Sequence, residues 1–260
     1  MLKIKDSTAV ITGGASGIGL ALAKYWAQNG GRLVLGDIAE EPLKKAGREI
    51  GGEAATVVCD VTDETDCAKL ADIAIERFGG IHLVAPFAGI IKDALMLNID
   101  RKGQVVRKMP LEDFQRVIDI NLTGVFLTVR ECAERMINHR CKGLICLVSS
   151  IGSLGTAGQI NYSSSKAAIS VMPRVITAEF FRRNVADRIR CLAVAPGYVA
   201  TPMVKSMPQT VRDKIIEQIP IGRLIEPEEV AALIGELYRN EALAGDVYYI
   251  HGGLRLSSKG

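Results

Sequence analysis

The sequence is poor in the features that mark membrane, metal-binding and nucleic-acid-binding chains. No apolar run approaches the ~20 residues needed to cross a bilayer. The N-terminus, MLKIKDSTAVITGG, enters a β-like run directly, with neither the apolar core of a secretory signal nor a transit-type segment. Net charge is only +3 and the 32 basic residues are spread along the chain, which argues against nucleic acid as the main partner. The six cysteines (Cys59, Cys67, Cys132, Cys141, Cys146 and Cys191) form no CxxC and have no histidine nearby at ligand spacing. Most lie in apolar runs, so free thiols in a reducing, cytoplasmic setting are expected, with neither disulfides nor metal.

What is present is enough apolar material for one large domain, 48% of 260 residues. Strand-like runs at 8–12, 33–36, 55–59, 81–85, 144–148, 190–195 and 246–250 alternate with helix-like segments at 17–28, 41–50, 64–78, 111–137, 162–183 and 227–239. Alternation of this length predicts a three-layer, doubly wound α/β fold in a single domain, 1–260, with a parallel sheet between helices. Two segments break the rhythm: 90–110, which carries four basic residues in its second half, and 198–218, which holds Met203, Val204, Met207 and Pro208. Both follow strands, where ligands of such sheets bind, and loops of this length are more often functional than not.

The first strand runs into Gly13-Gly14-Ala15-Ser16-Gly17-Ile18-Gly19 and then a helix. Glycines there let backbone approach a pyrophosphate resting on the helix N-terminus. Asp37 ends the second strand, placed to accept from both ribose hydroxyls of an adenosine and to repel a 2′-phosphate, which points to NAD over NADP. Asp60, ending the third strand, is placed to reach the adenine.

Further on, Tyr162 and Lys166 lie four residues apart on a predicted helix, so they share a face, and Ser149 lies thirteen residues before the tyrosine. A phenol works as an acid or base near neutrality only if its pKa drops from about 10, a change of about three units or roughly 4 kcal/mol. One ammonium about 4 Å away supplies roughly that at an effective dielectric near 20.

Jointly and in order, TGGASGIG, Asp60-Val61, Ala88-Gly89, Asn121 in INLTG, Ser149 with Tyr162 and Lys166, and Pro196-Gly197 with Thr201 resemble the motif set of the short-chain dehydrogenase/reductase family, over nearly the whole chain. The resemblance implies a seven-stranded Rossmann-type sheet, nicotinamide-dependent hydride transfer, and commonly a homotetramer. It makes Tyr162 the general acid/base, with Lys166 lowering its pKa and binding the nicotinamide ribose. Ser149 becomes the partner of the substrate oxygen, on the thirteen-residue spacing that also assigns Ser150 a structural role, and Asn121 holds a water in a proton relay. Gly13, Ser16, Gly17, Ile18 and Gly19 fall on the pyrophosphate loop; Asp37, Asp60, Val61, Ala88 and Gly89 on the adenosine side; Pro196, Gly197, Val199 and Thr201 on the nicotinamide side. For Thr201, a helix N-cap is the other reading.

Three departures from the family pattern stand out. Pro86-Phe87 replaces an Asn-Asn pair, Pro173 lies inside the catalytic helix and should kink it, and His251 stands where aspartate is common. GQINYSSSKAA, VAPGYVATPM and the DALML segment resemble 3-oxoacyl-acyl-carrier-protein reductases and related acyl-CoA enzymes. That implies an acyl-thioester substrate and docking of acyl carrier protein on Arg140 and Arg183; the same arginines also read as ordinary charge at helix ends. Another secondary alcohol (a polyol, a steroid or a small alcohol) and a non-catalytic NAD-binding role are the alternatives.

Overall fold

The computed structural model describes residues 1–254, apart from the side chain of Met203. Among these residues, seven parallel strands form one sheet: β1 (Thr8–Thr12), β2 (Arg32–Asp37), β3 (Ala54–Val58), β4 (Leu83–Pro86), β7 (Gly143–Val148), β8 (Ile189–Pro196) and β9 (Val247–Ile250). Two further strands, β5 (Leu97–Ile99) and β6 (Val105–Lys108), make a separate antiparallel hairpin. The sheet order is β3-β2-β1-β4-β7-β8-β9, so the winding reverses between β1 and β4 and a crevice opens there at the carboxyl ends. All seven sheet strands lie where the sequence predicts them, within two residues at each end.

Successive strand side chains point to opposite faces, and both faces are covered. In β1, Val10 joins a core under α3 (Glu64–Phe78), α5 (Gly124–Asn138) and α6 (Ile160–Arg182), with Leu70, Val125 and Ile169. Its neighbours Ala9 and Ile11 join the other core, under α1 (Gly17–Gln28), α2 (Glu40–Ile50) and α9 (Pro227–Arg239), with Leu22, Trp26 and Ile234. The six cysteines are free thiols, all buried, as the apolar runs around them require.

The structure differs from the expected elements in three places. The long helix predicted over 111–137 is α4 (Leu111–Ile118) and α5 separated by a π-helical turn at Asp119–Thr123. The 90–110 segment contains the β5–β6 hairpin, and the 198–218 segment contains two short helices, α7 (Pro202–Lys205) and α8 (Gln209–Ile216). Pro173 is buried within α6 and the helix continues through it.

Candidate active site

Every residue nominated from the sequence for cofactor or catalysis lines one cavity of about 720 Å³ over the carboxyl ends of the sheet. Its nucleotide half is made largely of backbone. Gly13 has φ +66°, and a Cβ there would sit 2.8 Å from the Ala88 nitrogen; one on Gly19 would meet the Gly13 carbonyl oxygen at 2.2 Å. The turn therefore tolerates only glycine at these points. Ser16 caps α1 without a side-chain capping bond, which leaves the first N–H groups of the helix directed at the cavity. The Asp37 carboxylate is fixed by two backbone donors, Ala15 N–H to Oδ2 (3.1 Å) and Ala39 N–H to Oδ1 (3.0 Å). Lys166 is the only basic side chain among the described lining residues. Asp60 Oδ1 accepts from the Thr62 N–H at 2.9 Å and the Thr62 hydroxyl at 2.7 Å. The donors and the glycine cradle suit a dinucleotide.

The Pro86-Phe87 departure is absorbed locally. The Phe87 N–H donates to the Thr12 carbonyl (3.2 Å), the Ala88 N–H to Thr12 Oγ1 (3.3 Å), and Phe87 packs against the core of α1 and α9.

The catalytic half carries two corrections. First, the Ser149 hydroxyl does not face the tyrosine. Ser149 is 2% exposed; its Oγ donates to the Lys166 carbonyl (2.9 Å) and lies 2.7 Å from Ser170 Oγ. The hydroxyl beside the Tyr162 phenol is that of Ser150, and its hydrogen bond pulls the phenol's pKa down. Counting thirteen residues back from Tyr162 failed because the loop between them, not a regular element, sets which of two adjacent serines turns inward. Ser150 opens a 3₁₀ turn at Ile151–Leu154 and accepts from the Gly152 N–H at 3.0 Å, which holds it in place.

Second, Lys166 does not lower the Tyr162 pKa in this arrangement. Burial pushes the phenol up, Ser150 pulls against it, and the Asp93 charge pushes it further up. The lysine is itself buried, which brings its own pKa down to about 8. Its Nζ donates to the Val148 carbonyl at 2.9 Å and stands 5.7 Å from the centre of the Tyr162 ring. Desolvation of both groups outweighs their through-space attraction.

Asn121 lies in the π-helical turn, fully buried. Its Oδ1 accepts from the Ile90 N–H (2.8 Å) and its Nδ2 donates to the Ile90 carbonyl (2.9 Å), so it clamps the segment leaving β4. Widened turns of this kind recur at functional sites, and here the extra residue lets the amide meet both polar groups of one backbone unit.

Four residues that the sequence reading passed over complete the site. Asn161, also fully buried, accepts from the Tyr162 N–H (2.8 Å) and donates to the Lys92 carbonyl (3.0 Å), tying the catalytic helix to the 90–110 segment. Asp93, Gln159 and Tyr198 line the cavity, and Gln159 Nε2 donates to Asp93 Oδ2 at 2.8 Å. Asn161 carried a signal, an amide beside the catalytic tyrosine; the other three lie in loops without a pattern. Thr201 does occupy the N-cap position of α7, yet its hydroxyl makes no capping bond and it lines the cavity. Arg140 and Arg183 follow the carboxyl ends of α5 and α6, so they lie at the opposite edge of the sheet from the cavity of their own chain. Val204 and Met207 stand on the cavity wall; the Met203 side chain is outside the described residues.

The fold and this constellation define a nicotinamide-binding oxidoreductase of the Rossmann type, and comparisons with known proteins agree. Residues 13–255 match the family model described as "Enoyl-(Acyl carrier protein) reductase". The chain is 34% identical to the 3-oxoacyl-[acyl-carrier-protein] reductase of Thermotoga maritima, over 97% of this chain and 99% of that protein. It is also 34% identical to the 3-hydroxyacyl-CoA dehydrogenase type-2 of Drosophila melanogaster, again over 97% and 99%. A crystal structure of a short-chain dehydrogenase/reductase from Brucella melitensis, described as a glucose/ribitol dehydrogenase, superposes with a TM-score of 0.86 at 28% identity, covering 97% of this chain and 98% of that one. The chain belongs to the short-chain dehydrogenase/reductase family, whose members bind a nicotinamide cofactor and interconvert ketones and secondary alcohols. Among the described residues, no helix is long and apolar enough to cross a membrane.

Proposed function

We propose that this protein is an NAD(H)-dependent enzyme interconverting 3-oxoacyl and 3-hydroxyacyl thioesters. The observation that carries the substrate class is the wall beside Tyr162. Ile90, Ile91, Ile151, Tyr198, Val204 and Met207 give it an apolar surface suited to an acyl chain. The names of the Thermotoga and Drosophila relatives point the same way. A polyol reading draws on the description of the Brucella structure and on the polar Asp93 and Gln159 in the cavity, but a sugar alcohol would also set hydroxyls against Ile90, Ile91, Ile151, Val204 and Met207.

The cofactor preference rests on Asp37. Its carboxylate is held in place by backbone donors, and among the described residues lining the cavity the only basic side chain is Lys166. The bound cofactor supplies or accepts hydride. The pyrophosphate falls to Gly13, Ser16, Gly17, Ile18 and Gly19, the adenosine to Asp37, Asp60, Val61, Ala88 and Gly89. The nicotinamide end falls to Pro196, Gly197, Val199 and Thr201, with Tyr162 and Lys166 at its ribose. In the reducing direction Ser150 donates a hydrogen bond to the ketone oxygen and Tyr162 delivers a proton to it, leaving a phenolate. That phenolate in turn favours the charged form of Lys166, whose pKa of about 8 lies close enough to neutrality to respond. Asn121 shapes the cavity by holding Ile90 and, in this reading, borders the path by which the proton is replaced.

The protein acts as one domain and, on its buried free thiols, in the cytoplasm. It assembles as a homotetramer, for which α6 offers Val171 and Val175, exposed and one turn apart, and the edge strand β9 offers Tyr249. The test is a panel of acetoacetyl-CoA, longer 3-oxoacyl thioesters, a steroid and ribitol, each with NADH or NADPH in reduction and NAD or NADP in oxidation. Fastest turnover of a thioester with NADH is expected; preference for ribitol, or for NADPH, overturns the corresponding half of the proposal.

A further inference from the structure

The β5–β6 hairpin is used by nothing described so far. It rises from the rim of the cavity. Ile90, Ile91 and Asp93 line that cavity, Ala94 pairs with Gln159, and the Met109 N–H closes the base of the hairpin onto the Met96 carbonyl at 3.0 Å. The turn is built by Asp100, whose Oδ1 accepts from the N–H groups of Lys102 (2.8 Å) and Gln104 (2.9 Å). Cross-strand partners share a face, and residues two apart on a strand share it too. Leu97 pairs with Lys108, Asn98 with Arg107 and, across a bulge between Asn98 and Ile99, Ile99 with Val105, so apolar side chains and cations are interleaved along the hairpin. Leu97, Ile99 and Val105 are 39%, 56% and 47% exposed. Arg101 and Lys102 stand at the tip. Among the described residues, Arg101, Lys102, Arg107 and Lys108 make no ion pair, whereas Lys92 at the foot of the segment is paired with Asp113 at 2.7 Å. Exposed apolar side chains interleaved with cations suit a protein-docking surface, and a two-stranded hairpin gains little stability by itself.

We propose that the hairpin is the docking arm for an acidic carrier protein that presents the acyl thioester to the cavity. This rests on the thioester reading above and adds the partner and its place. The occupant follows from charge. Four unpaired cations interleaved with exposed apolar side chains complement an acidic, partly apolar surface. A hairpin from a second copy would bring the same four cations and repel. The nucleotide of coenzyme A offers phosphates but no broad apolar surface to cover Leu97, Ile99 and Val105. Placed on the rim, the arm acts on the same side of the chain as the cavity, unlike Arg140 and Arg183.

The test uses the full-length enzyme with two substrates: acetoacetyl-loaded acyl carrier protein of Thermotoga maritima, and acetoacetyl-N-acetylcysteamine, a small neutral thioester. In the Arg107→Glu/Lys108→Glu variant, and separately in Ile99→Ser/Val105→Ser, kcat/KM with the carrier substrate is expected to fall roughly tenfold or more through KM. With the small thioester it should stay within about twofold. Moderate salt should weaken the wild type on the carrier substrate alone. Equal losses on both substrates, or no loss on the carrier, overturn the proposal. So does a lowered oligomeric state of Ile99→Ser/Val105→Ser by light scattering, which would make the hairpin a contact between copies. If the wild type reduces neither thioester, the functional reading fails by itself. Calorimetric titration with the unloaded carrier protein then decides the arm: binding that the charge reversal abolishes supports it, and absent or unchanged binding sinks it.

Discussion

The two halves of the cavity are built by different means. The nucleotide half is backbone: a glycine turn, the amino end of α1, and a carboxylate pinned by two N–H groups. The substrate half is side chains on irregular segments: Ile91 and Asp93 on the way to the hairpin, Ser150 in a 3₁₀ turn, Val204 and Met207 in the short helices after β8. A common dinucleotide can be held by the first because backbone geometry changes little with side-chain identity. Selectivity sits in the second, where each substitution alters the wall directly. Substitutions in the nucleotide half should therefore move cofactor binding and selectivity, and those in the other half should move turnover.

The largest expected effect tests whether the chemistry sits at Tyr162. Tyr162→Phe should lower kcat by about a thousandfold, within the usual range for loss of a positioned acid. NADH binding, followed by fluorescence titration, should hardly change. Retained turnover would remove the phenol from the mechanism.

The paired serines sharpen the division inside the catalytic half. Ser150→Ala should cost about a hundredfold in kcat. Ser149→Ala should cost far less in kcat and about 0.5–1.5 kcal/mol in stability by denaturant titration, since one buried hydrogen bond is lost while the Ser170 hydroxyl still donates to the Lys166 carbonyl. The reverse ranking in kcat would restore Ser149 to the chemistry.

At the nucleotide end, Asp37→Ala should shift the NADPH-to-NADH ratio of kcat/KM roughly tenfold towards NADPH by removing a repulsive charge and a ribose partner. kcat with saturating NADH should stay close to wild type. A wild type that prefers NADPH would overturn the role given to the carboxylate.

The smallest effect concerns pH. The folded-state pKa of Lys166 is lowered to about 8 from 10.5, so between those values the unfolded chain binds more protons at this group. Its destabilising contribution is fully present below pH 8 and is relieved as pH rises towards 10.5. The stability of wild type relative to Lys166→Met should rise over that window. A flat difference in melting temperature would mean that the lysine is solvated.

How much was legible in the sequence differs between the halves in the same way. The seven strands, the glycine turn, Asp37 and the Tyr162–Lys166 pair are readable because each is a local pattern: a short apolar run, a strand–glycine–helix junction, a four-residue helical spacing. Ser150 was missed because two adjacent serines differ only in how the following loop turns them. The π-helical turn leaves no local pattern; its Asn121 bonds Ile90, thirty-one residues away in the chain. The hairpin was read as a loop because its strands are three and four residues long, too short for a clear period.

By itself, then, the sequence determined the fold class and the family's chemistry. Those depend on spacings within single elements and on which residues are apolar. Tertiary structure alone decided which serine faces the phenol, that burial raises the tyrosine's pKa while lowering that of the lysine, and where the exposed hairpin stands relative to the cavity. Each of these depends on burial and on distances between residues far apart in the chain, and local spacing does not encode such quantities.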